Sequence, residues 1–111
     1  MENIEPSKIN ELVALSNQPV VIVDYWASWC APCGVMNYAL KHLMQENQKI
    51  VQVFKIDAEK YPEYLEKQDI VSLPTLDFYY HGKWRERVAG ARKPRELEEI
   101  INTIILSAQG D

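Results

Sequence analysis

Residues 20–27, "VVIVDYWA", form a run of apolar and aromatic positions broken only by Asp24. Runs of this kind belong to strands covered on both faces of a sheet. From Pro32 to about Gln48 the pattern changes, with apolar residues at 35/36, 39/40 and 43/44, the spacing of an amphipathic helix. "KIVQVFKID" reads as a second buried strand. Pro62 then opens a short helix through Tyr64 and Leu65, after which the chain turns extended at "VSLPTLDFYY". His81-Gly82 separates two strand-like runs, a hairpin signal that makes these strands antiparallel. Gly90 ends the second of them. Pro94 begins a last helix with Leu97, Ile100, Ile101, Ile104 and Ile105 along one side. Arg92 and Lys93 stand where a Ser or Asp would cap that helix, so its first turn is expected to fray.

At the other end, "ENIE" suggests a short first strand. Pro6 and Ser7 introduce a helix that turns Ile9, Leu12, Val13 and Leu15 inward and stops near Asn17 to Pro19. Strands alternating with helices, followed by a hairpin and a helix, predict a three-layer α/β sandwich around a mixed sheet. The 111 residues suit one domain spanning 1–111.

Composition narrows the class. With 47% hydrophobic and 25% charged residues, the chain has material for a core that needs no disulfide to hold it. "MENIEPSKIN" lacks a basic stretch followed by an apolar run, and no segment approaches the ~18 apolar residues of a membrane span. The expectation is a cytoplasmic protein, away from membranes, whose thiols are kept reduced. A net charge of -4 argues against a general nucleic-acid binder. Basic residues nevertheless gather at Lys83, Arg85, Arg87, Arg92, Lys93 and Arg95, with Glu86 the single acid among them. Lys83, Arg85 and Arg87 alternate, as expected of an edge strand guarded by charge on one face. The second reading is a rim that steers acidic partners.

The chemistry centres on the two cysteines, Cys30 and Cys33. A pair can be a structural bridge, half a metal site, or a reagent that is used and renewed. Pro32 suits the first helical position, which puts Cys30 at the helix entrance and Cys33 one turn further along the same side, within bridging range. A partly buried helix N-terminus stabilises an anion by up to ~2 kcal/mol, which favours the thiolate of Cys30. His42 and His81 complete a nominal zinc set, but they lie far apart, one on a helix and the other at a hairpin tip. Neither is assigned a role. Asp24 either sits at its strand's end bonding turn amides, or is buried with a raised pKa, Val53 offering no cation from the neighbouring strand.

"VVIVDYWASWCAPC" resembles the active-site strand and motif of the thioredoxins, with Ala31 where the commonest version has Gly. "FKID" resembles the family's third strand, "SLPT" its cis-proline loop, "HG" its hairpin turn and "VAGA" its glycine segment. The resemblance implies a thioredoxin fold, with a central mixed sheet of four to five strands and four helices. It also implies a dithiol reductant of disulfide-containing proteins, in which Cys30 attacks and Cys33 resolves. Asp24 then serves as base for the resolving step. Trp29, Ala31, Pro32, Leu73, Pro74, Ala89 and Gly90 match the family's substrate groove, and the bond before Pro74 should be cis. The resemblance further implies no bound cofactor, electrons from NADPH through a thioredoxin reductase, and a monomer as the working form. Gly34, Tyr38 and Val53 depart from the family pattern, which bears on redox potential and partner choice. Two alternatives stay open, a thiol oxidase or isomerase of an oxidising compartment and a redox-independent peptide-binding module.

Overall fold

The computed structural model describes residues 1–109. Five strands form one sheet: β1 (Glu2–Asn3), β2 (Val20–Trp26), β3 (Val51–Asp57), β4 (Thr75–Tyr80) and β5 (Lys83–Ala89). Their order is β1-β3-β2-β4-β5. β2 and β3 are parallel, as are β1 and β3, while β4 runs antiparallel to β2 and β5 antiparallel to β4. Four α-helices complete the fold of the described residues: α1 (Ile9–Leu15), α2 (Ala31–Glu46), α3 (Pro62–Lys67) and α4 (Pro94–Gln109), with a 3-10 turn at Pro6–Lys8 ahead of α1. None of these helices is long and apolar enough to cross a membrane.

Both faces of the sheet are covered, which is why β2 reads as an apolar run interrupted only at Asp24. On one face Val20, Ile22, Val53, Leu76 and Phe78 pack against Met36, Leu40 and Leu43 of α2 and Leu97, Ile101 and Ile104 of α4. On the other, Val21, Val23, Tyr25 and Ile56 meet Ile9 and Val13 of α1 and Leu65 of α3. The alternation of Cβ atoms along β2 assigns its even-numbered residues to the α2 side and its odd-numbered ones to the α1 side. Asp24 is even-numbered and so shares a face with Val20 and Ile22.

Several expectations need correction. Leu15 lies 71% exposed, because α1 ends there. Val35 is turned to solvent, so the buried stripe of α2 runs through Cys33, Met36, Ala39, Leu40 and Leu43. Pro32 takes the second helical position, where it is equally tolerated because first-turn N–H groups have no helical acceptor. The first turn of α4 is not left open. Glu96 accepts the Lys93 N–H at 2.9 Å, the return half of a capping box, and the Leu97 N–H reaches the Lys93 carbonyl at 3.1 Å.

The edge strand also differs. Between Phe78 and Tyr79 the β4–β5 register slips, passing from Phe78 opposite Glu86 to Tyr79 opposite Trp84. A bulge of this kind breaks the alternation of side chains, so Lys83, Arg85 and Arg87 do not form a single guarding face. Arg87 turns onto Asp77 instead, with Nε 2.7 Å from Oδ1 and Nη2 2.9 Å from Oδ2. Trp84 Nε1 donates to the same Oδ1 at 3.2 Å. Asp77 is 2% exposed, so its carboxylate depends on these donors.

Removing one partner of such a pair strands a buried charge, a loss of about 3 kcal/mol that Arg87's partial exposure moderates. Arg87→Met should therefore lower the urea midpoint markedly. Asp77→Leu combined with Arg87→Met should recover most of the loss. Equal stability of Arg87→Met and the parent would mean that the pair contributes nothing.

Candidate active site

Cys30 is the N-cap of α2, in extended conformation at φ -92° and ψ 102°. A tight turn delivers it there: the Cys30 N–H donates to the Ala27 carbonyl at 3.2 Å, one residue beyond the end of β2. The Cys33 N–H then donates to Cys30 Sγ at 3.2 Å. The sulfur thus fills the role that a Ser or Asp oxygen usually has at this position. The two cysteines form a disulfide, with Cα atoms 5.3 Å apart. Once the bridge is reduced, the same N–H and the helix N-terminus favour a negative charge on Cys30.

Around the bridge the structure assembles most of the groove residues named from the sequence. Leu73, followed by a cis bond to Pro74, packs with Ala27, Cys30 and Cys33. The Gly90 N–H donates to the Pro74 carbonyl at 2.8 Å, and Ala89 pairs with Thr75 across the hairpin, so the glycine segment is sewn to the proline loop. Gly90 has φ +90°, a conformation that suits glycine. Trp29, 71% exposed, and the exposed Ala31 and Pro32 stand on the solvent side of the pair.

Asp24 lies inside β2 and not at its end, fully buried, and neither carboxylate oxygen has a hydrogen-bond partner among the described residues. The alternative in which it bonds turn amides is therefore excluded. Desolvation pushes its pKa up from 3.8 to about 7, an effect that the charge of Lys55 partly offsets.

Lys55 corrects the expectation that no cation faces Asp24. In the parallel register Asp24 lies opposite Lys55, two residues beyond Val53 on the same face of β3. Lys55 makes no hydrogen bond to Asp24. Its Nζ donates to Asn37 Oδ1 at 2.8 Å and sits 4.7 Å from the centroid of the Trp26 ring. Lys55 and Asn37 line a cavity of about 230 Å³ together with Trp26, Cys30 and Cys33, large enough to hold water beside the bridge. Sequence reasoning missed both residues. Period-2 alternation along "VQVFKID" carried the signal for Lys55, and the i, i+4 spacing from Cys33 carried it for Asn37. The two histidines stay apart, His42 on α2 and His81 in the β4–β5 turn.

The family model "Thioredoxin" matches residues 2–103 of the chain. Thioredoxin Y2, a chloroplastic protein of Arabidopsis thaliana, is 37% identical over 95 residues, which cover 86% of this chain and 56% of that one. The thioredoxin of Listeria monocytogenes is 30% identical over 90 residues, covering 81% of this chain and 87% of the relative. A bifunctional thioredoxin reductase/thioredoxin of Mycobacterium leprae is 31% identical over 93 residues, 84% of this chain and 20% of that protein. The chain thus spans about half the plant relative and most of the Listeria one. Among solved structures, chloroplastic thioredoxin z superposes with a TM-score of 0.86 at 28% identity, over 96% of this chain and 95% of the other.

The raised pKa of Asp24 sets the sign of a stability effect. Below about pH 4 the carboxyl is protonated in both the folded and the unfolded chain, and burial carries no ionisation cost. Between pH 4 and 7 the unfolded chain releases the proton while the folded one keeps it, so stability falls by roughly 4 kcal/mol and then levels off. Asp24→Asn should remove this component, so its stability advantage over the parent should widen from pH 4 to 7 in urea titrations. A difference independent of pH would mean that Asp24 does not titrate in this range. Lys55→Met should move the window upward, because it removes the charge that holds the carboxyl down.

Proposed function

The chain belongs to the thioredoxin family, and from that premise we propose that it is a protein dithiol–disulfide oxidoreductase that reduces disulfides in partner proteins. The observation that carries this reading is the capped position of Cys30, its sulfur accepting the Cys33 N–H at the mouth of α2 and closing onto Cys33 one turn away. That arrangement holds a nucleophile and a resolving thiol on one rigid helix turn.

Starting from the dithiol, the Cys30 thiolate attacks one sulfur of a partner's disulfide, and the partner's other sulfur leaves as a thiolate. Cys33 then gives up its proton, and its sulfur attacks Cys30 Sγ. The mixed disulfide breaks, the second partner sulfur leaves, and the Cys30–Cys33 bridge forms. Two electrons have passed to the partner, and its two thiolates take up protons. Asp24 is the base we assign to the resolving step. A carboxyl with a pKa near 7 is partly ionised at neutral pH and can both accept and return a proton.

The exposed Trp29, Ala31 and Pro32, with Leu73, Pro74, Ala89 and Gly90, form the groove that receives the partner's chain. An extended segment can pair with the backbone at Leu73 as an added strand would. The bridge is reset by two electrons from NADPH through a thioredoxin reductase, a pairing supported by the fused reductase/thioredoxin among the relatives. The working form is a monomer in the cytoplasm, a compartment that keeps dithiols reduced.

The protein should reduce insulin disulfides with a small dithiol as electron donor, and Cys30→Ser should drop turnover to the dithiol background. Absence of turnover by the parent chain above that background would refute the reductase reading. A limiting alkylating reagent at pH 7 should label Cys30 ahead of Cys33 in the reduced protein, and the reverse order would exchange their roles.

A further inference from the structure

Along the solvent face of α2, Ala31, Val35, Tyr38 and His42 follow one another at spacings of four, three and four residues, which stacks them in a single stripe. Most of that face is apolar. Val35 is 62% exposed and Tyr38 79% exposed, although nothing in the chemistry assigned to the bridge uses either side chain. A groove of about 560 Å³ runs beside the stripe, with Val35, Tyr38 and His42 on one wall and Arg92, Lys93 and Pro94 on the other. The groove's lining is mainly apolar, with an aromatic ring on one side and a proline on the other.

Two observations identify an occupant for the groove. The first is continuity. Ala31 of the cysteine motif lies one helical turn before Val35, and Gly90 immediately precedes Ala91, so one end of the groove lies next to the motif. The second is charge. The rim carries Arg92 and Lys93 in a chain of net charge -4. Glu96 lines the groove too, but its carboxylate holds the Lys93 N–H. The Arg92 guanidinium is itself fixed, with Nη1 3.2 Å from the carbonyl oxygens of both Gly90 and Ala91.

We propose that this groove is a second recognition site for the disulfide-bearing partner. It takes an aromatic or long aliphatic side chain followed by acidic residues, from the stretch of partner chain next to the attacked cysteine. The inference rests on the reductase reading and adds a specificity to it. Helix geometry sets the distance. Seven residues from Ala31 to Tyr38 rise roughly 10 Å, the length of about three residues of extended chain. The aromatic side chain therefore belongs about three positions from the attacked cysteine, with the acids beyond it at Lys93. Val35 and Tyr38 supply apolar area, and Lys93 contributes attraction that salt screens.

The test uses the full chain, a small dithiol as electron donor, and peptides containing one intramolecular disulfide. Each peptide carries a tail beginning three residues from a cysteine, either Phe-Asp-Asp or Ser-Lys-Lys, placed before the disulfide in one set and after it in another. In one of these sets the parent should show a kcat/KM roughly five- to tenfold higher for the Phe-Asp-Asp tail. Tyr38→Ala and Lys93→Glu should each shrink that preference while leaving the rate with dithiobis(nitrobenzoate), a disulfide without a tail, unchanged. Arg92 is not altered because its guanidinium supports the backbone at Gly90. Salt at about 0.5 M should weaken the preference in the parent and have little effect on it in Lys93→Glu. Turnover with no preference in either set, or a preference that both variants keep, overturns the groove and leaves the reductase reading standing. Failure of the parent to reduce any of these disulfides overturns both.

Discussion

A carboxyl group taken out of water sits in the central strand that leads to the cysteines. Asp24 is fully buried within β2 with neither oxygen hydrogen-bonded among the described residues, in a sheet covered on both faces. Burying an ionised carboxylate without partners costs more than the fold can retain at a structural position, so the group stays protonated well above its ordinary range. The neighbouring cation does not cancel this. Lys55 stands opposite Asp24 in the register yet is held by Asn37 and the ring of Trp26, so its charge lowers the pKa without neutralising the carboxyl through a hydrogen bond. An ammonium bonded directly to Asp24 would keep it ionised and leave it a weak base.

The turn after β2 joins this buried group to the cysteines. Ala27 accepts the Cys30 N–H, and Cys30 in turn accepts the Cys33 N–H through its sulfur, so strand end, helix start and reactive atom are set by consecutive hydrogen bonds. The cis Leu73-Pro74 bond and the Gly90 N–H on the Pro74 carbonyl bring two further loops to the same end of the sheet. Site residues from four separate stretches of chain are thereby held on regular elements or tied directly to them.

How much of this was legible beforehand depended on how local its cause is. The strand run at 20–26, the helix opening at Cys30 and the hairpin at His81-Gly82 are written in neighbouring residues, and they emerge from pattern alone. The cis bond was not legible from composition, since only about 5–6% of X-Pro bonds in folded proteins are cis; it came from the likeness of "SLPT" to a family loop. Lys55 went unseen because its relation to Asp24 exists only once β2 and β3 pair in a definite register. The Asp77–Arg87 pair stayed hidden for a similar reason, since the slip between Phe78 and Tyr79 has no signature in the residues that make it. The cap on α4 could have been found by looking three residues past the cap position to Glu96, and not only at Lys93.

The central claim is that Asp24 takes the proton of Cys33 in the step that releases the partner. Stopped-flow measurement of Asp24→Asn between pH 6 and 8 separates that step from the first attack, through formation and decay of a mixed disulfide with a chromophoric thiol. The account predicts an unchanged rate of formation and a decay slowed by roughly 10²-fold or more, the typical contribution of a positioned general base. Decay at the parent rate across that range would contradict it and leave Asp24 as a buried residue with no part in the chemistry.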